Sequence, residues 1–200
     1  MYQYFSGQLV EKTPAKVVLD VHGVGYDIRI PVSTYSKLPA LGEKTKLLIH
    51  FHVREDAQIL YGFITEEERD LFRLLLLVTG IGPKIAMTVL SGMTIKELKQ
   101  AIIQGSLPVL TSISGIGKKI AERVVVELRE KIVLEESETV HSGSSIPGSE
   151  GLLLEDSLQA LVELGYKKQN AKSALQKAIQ ELEGQKPSIA DLVRKSLKYV

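Results

Sequence analysis

Two octapeptides combine residue types and spacing suited to binding an anion: TGIGPKIA at 79–86 and SGIGKKIA at 114–121. Laid over one another, VTGIGPKIAMTVL (78–90) and ISGIGKKIAERVV (113–125) share both glycines, the isoleucine between them, a lysine two residues on, and Ile-Ala. Such a repeat within a short stretch points to a duplicated structural unit. Gly-Ile-Gly permits a tight turn with exposed amides and no Cβ to hold a ligand away. The residues after the second glycine open a helix, and Pro83 suits a first helical position, where its missing N–H costs nothing. A helix N-terminus with unpaired N–H groups, a favourable dipole and an adjacent lysine attracts a phosphate.

Three phosphate-binding patterns fit that description in part. A Walker loop needs four residues between its glycines and then Gly-Lys-Ser/Thr, which is absent. A dinucleotide fingerprint needs a third glycine after a strand, but Ile85 stands at that position and the flanks read as helical. The pattern most similar to both copies is the helix–hairpin–helix motif, whose hairpin amides hold a DNA phosphate without reading bases. A glycine-rich turn that merely packs two helices is the other reading, and the aligned lysines of the two copies weigh against it. The expected phosphate-binding residues are Gly80, Gly82 and Lys84 in the first copy, and Gly115, Gly117, Lys118, Lys119 and Arg123 in the second. Near the second hairpin only Glu122 opposes the positive charge, so positive charge is local although the 200-residue chain carries a formal net charge of only +1.

The elements that position these residues follow from the apolar period. Residues 1–64 alternate as strands: YQYFSGQLVE, then VVLDVHG (17–23) and YDIRI (26–30) about a turn placed at Gly23-Val24-Gly25, then KLLIHFHV and AQILYGF. In the last two, Ile49, Phe51 and Val53 form one stripe and Ala57, Ile59, Tyr61 and Phe63 another, both expected to face inward. Five short strands suggest a small OB-fold barrel. The hairpin between them carries Glu55 and Asp56 at its tip, after Arg54; acidic turn residues are common and by themselves signify little. From Thr65, paired with Glu68 as a capping box, the period becomes helical, and Thr94 with Glu97 repeats the signal. Residues 65–135 therefore read as an all-α region. The polar stretch ESETVHSGSSIPGSE (136–150) reads as a flexible linker. Residues 151–200 read as three short amphipathic helices separated by Gly165 and by Pro187-Ser188.

The whole pattern resembles the RuvA family of Holliday-junction-binding subunits. The resemblance rests on VGYDI and REDAQILYGF in the barrel, the paired GIGPKIA and GIGKKIAERVVVELR hairpins, and the linker with its small helical domain. It extends over essentially the full chain in the family's domain order. Ser114 and Ile120 depart from the family's pattern, which has proline and threonine there. The resemblance implies an α+β multidomain protein: an OB barrel, tandem helix–hairpin–helix motifs, and a C-terminal UBA-like three-helix bundle. It further implies a homotetramer, or an octamer, that holds a four-way junction open and square-planar during recombination and DNA repair. Glu55 and Asp56 would then ring the crossover, and the C-terminal bundle would recruit the hexameric ATPase RuvB through an apolar surface drawn from Leu152, Leu153, Leu158, Leu161, Leu164 and Tyr166. RuvC would join in a resolving complex.

Other functions are disfavoured by what the sequence lacks. No aspartate lies between Asp70 and Asp156, whereas glycosylases built on similar hairpins carry one downstream. The chain has no cysteine, and its four histidines are His22, His50, His52 and His141. His50 and His52 read as exposed strand residues without a third ligand, so neither a metal nor any other cofactor is expected. No nucleophile–base pair or ATP site stands out, and catalysis is not expected. Single-strand binding by the barrel is disfavoured because its aromatics fall on the apolar stripe rather than on an outer stacking surface. A scaffold that recruits a nuclease through residues 151–200 stays open. LLLLV (74–78) is too short to cross a bilayer, and the N-terminus lacks a signal-peptide pattern, so a cytoplasmic location is expected.

Overall fold

The computed structural model describes residues 1–142, 149–182 and 187–199, and the chain divides into two compact units, Met1–Glu136 and Ser137–Val200. The first unit begins with five strands, β1 (Tyr4–Thr13), β2 (Lys16–Val21), β3 (Val24–Arg29), β4 (Lys44–Val53) and β5 (Gln58–Phe63). They close into a barrel in the order β1-β2-β3-β5-β4. All pairs are antiparallel except β3 with β5, where Ile28 faces Leu60 and Arg29 faces Tyr61. Phe5, Leu9, Val17, Leu19, Ile28, Ile30, Leu38, Leu47 and Ile49 fill its interior.

Three local features differ from the sequence reading. The β2–β3 turn lies at His22-Gly23 rather than Gly23-Val24-Gly25, because Val21 pairs with Val24. Both turn residues have positive φ, 54° and 87°, and the Asp20 carboxylate accepts a hydrogen bond from the Gly23 amide at 2.8 Å. Two consecutive left-handed residues give the turn whose twist matches a hairpin. A short helix, α1 (Val32–Lys37), sits between β3 and β4 where no element was expected. Its VSTYSK sequence has no helical apolar stripe, and its place is set by tertiary contacts.

The third difference concerns β5. Its stripe of Ile59, Tyr61 and Phe63 does not point into the barrel but joins the core of the helical region. Leu60 points inward instead, and Gly62 lies where an added Cβ would come within 2.6 Å of the Ile28 side chain. Strand β5 is thus core on both faces.

Helices α2 (Glu66–Leu77), α3 (Pro83–Gly92), α4 (Ile95–Gln104), α5 (Leu107–Thr111) and α6 (Lys118–Ser142) come next in the chain. Phe72 of α2 packs on Phe63 and Tyr61 at ring-centroid distances of 5.0 and 5.1 Å. Each fully buried phenylalanine here contributes about 2 kcal/mol of hydrophobic stabilisation. Helix α6 continues into the stretch read as linker, since residues 135–142 contain neither glycine nor proline to stop it. The remainder of that stretch, 143–148, lies outside the described residues. The second unit holds α7 (Ser149–Glu163), α8 (Lys168–Glu181) and α9 (Ile189–Ser196), packed pairwise around Leu161, Ala171, Leu175 and Leu192.

Barrel and helices meet at one buried carboxylate. Thr65 caps α2 by accepting from the Glu68 amide at 3.2 Å, but Glu68 does not return the bond to Thr65 as a capping box would. Its carboxylate accepts instead from Thr34 Oγ1 (2.9 Å), Lys37 Nζ (3.2 Å) and the Ile64 amide (3.2 Å), and the residue is fully buried. Removing it strands the buried Thr34 hydroxyl and the part-buried Ile64 amide and frees Lys37. Glu68→Ala should therefore cost about 3 kcal/mol, with Glu68→Gln less harmful, measured by urea denaturation of the full chain followed through the barrel aromatics. An unchanged midpoint for the alanine variant would refute this account of the joint.

Candidate nucleic-acid interface

The two glycine hairpins fold in the same way. In the first, the Val78 carbonyl accepts from the Ile81 amide at 3.0 Å and the Gly82 carbonyl from the Ala86 amide at 3.0 Å. In the second, Ile113 accepts from Ile116 and Gly117 from Ala121, both at 3.0 Å. Ile81 and Ile116 are buried and anchor the loops in the core. Gly80 and Gly115 have φ of 98° and 90°, a conformation that favours glycine over any residue with a Cβ.

The copies also pack reciprocally. A Cβ on Gly80 would lie 3.8 Å from Ile120, and one on Gly115 would lie 3.6 Å from Ile85. Ile85 and Ile120 are themselves equivalent positions of the repeat, so each hairpin rests on the opening turn of the other copy's helix. The sequence signal for this was present, since both isoleucines fall in the repeated octapeptide, but only the packing gives it meaning.

What faces outward is a set of donors. Nothing lies within 4 Å of the Cβ positions of Gly82 and Gly117, so the approach to these backbones is open. The amides of Gly80, Gly82, Gly115 and Gly117 find no acceptor among the described residues. Helix α3 has Gly82 as N-cap and no side-chain cap, and neither α3 nor α6 has an acidic residue in its first turn. Three other helices are capped: α2 uses Thr65 and three first-turn glutamates, α4 has the complete Thr94–Glu97 box, and α9 has a Ser188–Asp191 box, whereas α1, α5 and α8 have neither a side-chain cap nor a first-turn acid. Hydrogen bonds from Thr94 hold the Glu97 carboxyl below its ordinary range. The hairpin helices instead present uncompensated positive ends, with Lys84, Lys118 and Lys119 exposed beside them.

Arg123 is exposed too, but its guanidinium is engaged: Nη1 donates to the Thr79 carbonyl at 3.1 Å, 44 positions away in the chain. Thr79 did not figure among the sequence-derived site residues.

At the β4–β5 tip the Arg54 amide donates to the Ala57 carbonyl at 2.8 Å, leaving Glu55 and Asp56 as the two exposed loop residues. Neither carboxylate pairs with a cation among the described residues. Arg54 turns away from them, its Nε donating to His52 Nε2 at 3.0 Å. His50 and His52 are half-buried rather than exposed, because β4 presents them to α2; His50 meets the Phe72 ring edge-on at 5.2 Å. Burial, then Arg73 and His52, lowers the His50 pKa to about 4, so the ring is neutral at physiological pH. Among the described residues no group of three or more His, Cys, Asp or Glu could hold a metal ion.

In the second unit the proposed docking leucines separate. Leu161 is fully buried and belongs to the core, which removes it from any docking surface; Leu153 and Leu158 pack against that core. Leu164 (60% exposed) and Tyr166 (37%) remain available, while the Leu152 side chain lies outside the described residues. Ile189 and Leu197 are further exposed apolar residues that the sequence reading did not single out.

Comparison with known proteins accounts for both units. Residues 1–62 match the RuvA N terminal domain, 72–130 the SAM-like Helix-hairpin-helix tandem, and 152–200 the RuvA C-terminal domain. A protein of Prosthecochloris aestuarii named "Holliday junction branch migration complex subunit RuvA" is 43% identical over 200 residues, covering 100% of this chain and 98% of the relative. The protein of the same name from Syntrophotalea carbinolica is 49% identical over 176 residues, 88% of each chain. That of Chlorobium phaeobacteroides is 42% identical over 198 residues, 98% of this chain and 97% of the relative. With identities at this level sustained along the full chain, and with two barrel-and-hairpin features of opposite charge in one unit, the protein belongs to the RuvA family.

Proposed function

We propose that this protein binds four-way junction DNA without regard to sequence and serves as the junction-recognition subunit of a branch migration complex. The observation that carries the reading is the pair of superposable hairpins with unpaired glycine amides, uncompensated helix N-termini and exposed lysines. Such a surface suits two phosphates of one duplex arm, held across a minor groove, and contains nothing aimed at base edges. The relatives' shared name supplies the junction.

The acidic tip gives the second half of the mechanism. Unpaired carboxylates repel phosphates, by roughly 1 kcal/mol for unit charges about 4 Å apart in water and more where solvent is excluded. Four copies of Glu55 and Asp56 around the crossover of a tetramer would discourage duplex from occupying the centre and favour an open, square-planar junction. That repulsion is tolerated because the hairpins attract the arms further out. The chain performs no chemistry of its own; an ATPase of the RuvB kind supplies the work, recruited through the exposed apolar residues Leu164 and Tyr166 of the C-terminal unit. A resolvase of the RuvC kind would act on the same open junction.

A gel-shift comparison of four-way junction with linear duplex, with sizing of the complex, tests the reading directly: equal affinity for both would overturn it. Replacing Lys118 and Lys119 by alanine should weaken binding to arms of every sequence alike and reduce the slope of log K against log salt by about 0.9 for each phosphate no longer neutralised; a loss confined to one base sequence would refute phosphate gripping. Changing Glu55→Gln together with Asp56→Asn should retain junction binding while narrowing the preference for junction over duplex. Collapse of junction binding in that variant would rule out central repulsion. Deleting residues 141–200 should spare DNA binding and abolish stimulation of the motor, and undiminished ATP-driven migration would sink the docking role.

A further inference from the structure

Arg123 of the second hairpin copy hydrogen-bonds to the first. Its Nη1 lies 3.1 Å from the Thr79 carbonyl and 4.0 Å from where a Cβ of Gly80 would stand. The Thr79 carbonyl and the Gly80 N–H belong to one planar peptide, and in a trans peptide they point in opposite directions. No peptide bond in the chain is cis. Holding the carbonyl therefore holds the Gly80 amide, and holds it facing away from α6. That plane is otherwise weakly constrained: it comes after the last turn of α2, Gly80 lacks a side chain, and the Gly80 amide has no partner among the described residues.

The repeat shows that the arrangement is one-sided. The position equivalent to Arg123 in the first copy is Thr88, whose hydroxyl donates to the Lys84 carbonyl at 3.0 Å within its own helix. Among the described residues no counterpart reaches the Ser114 carbonyl, which corresponds to that of Thr79. A few residues along α6, Arg129 again reaches across to a helix end, its Nε 3.5 Å from the Ile102 carbonyl near the end of α4. Helix α6 thus carries two arginines directed at backbone carbonyls of preceding elements.

We propose that Arg123 is a positioning residue: by holding the Thr79 carbonyl it sets the peptide plane that presents the Gly80 amide to phosphate, so that the second hairpin copy braces the first. This rests on the phosphate-gripping reading above and assigns Arg123 a role through Thr79 rather than through a phosphate of its own. It also links the two grips mechanically, since the helix that opens the second hairpin fixes the geometry of the first.

Two measurements on the full chain decide it, using Arg123→Met, which keeps length without a donor, and Arg123→Lys, which restores one. In the DNA-free protein, hydrogen exchange at the Ile81 amide should be about fivefold faster in Arg123→Met, recover in Arg123→Lys, and stay unchanged at the equivalent Ile116 amide. Unchanged exchange at Ile81 would overturn the proposal. In junction binding, Arg123→Met should lower affinity with the salt slope preserved, and its effect should shrink when Lys84→Met is already present. A slope reduced by about 0.9 beside an intact hairpin would mean a direct phosphate contact and would equally overturn it. If the unaltered protein bound neither junction nor duplex, the functional reading would fall, while the exchange data would still decide the brace.

Discussion

The Glu68 carboxylate is the constraint on which the rest of the first unit depends. One buried charge gathers Thr34 and Lys37 of α1, the chain end after β5 at Ile64, and the first turn of α2. Around it the apolar face of β5 turns out of the barrel and into the helices, and Phe72 completes the seam against Phe63, Tyr61 and His50. A buried carboxylate satisfied by donors from different elements fits only one arrangement of those elements. Here the arrangement is one body that carries an acidic loop on its barrel and two positive hairpins on its helices. Because both features are built into one unit, the fold fixes the distance between them.

The distribution of acids shows how a nearly neutral chain does this. Three helix starts carry their own anion: Glu66, Glu67 and Glu68 on α2, Glu97 on α4, Asp191 on α9; α1, α5 and α8 do not. Where the start is a glycine hairpin, no acid is supplied, and the dipole and amides remain for an external anion. At the β4–β5 tip the imbalance reverses, and the adjacent cation Arg54 is drawn back along the strand by His52. Net charge averages these regions away, which is why +1 said nothing about a polyanionic partner.

Much of this was legible in the sequence wherever the determinant is local. The glycine spacing, the lysines and the helix starts are short-range features, and the two copies supported one another before any packing was known. The five strands were legible from their alternation. What escaped is non-local. The stripe of β5 was visible, but not that helices rather than the barrel interior would cover it. Glu68 has the spacing of a capping box, yet three donors from other elements outcompete the Thr65 amide for its carboxylate. His50 looks like an outward strand residue until α2 is laid over it. The VSTYSK helix has no pattern of its own, and nothing near Arg123 in sequence names a carbonyl 44 positions upstream as its partner.

That last case bears on how a duplicated motif divides its work. The two hairpins share backbone geometry, but their helices open differently: the first with Pro83 and one lysine, the second with Lys118 and Lys119. Pro83 pre-sets φ at the helix start and removes a donor there, so the first copy trades an amide for rigidity below Gly82. Above Gly82 the same copy has its flexible glycine peptide, and that is where Arg123 reaches. The second copy needs no such contact to concentrate charge, since its own lysines stand at the mouth of the loop. Duplication followed by unequal specialisation leaves one hairpin richer in charge and the other more firmly held. On the function proposed above, a duplex arm gripped at two phosphates would gain from both, because attraction would draw the arm in and a fixed spacing between the grips would determine which helical geometry fits.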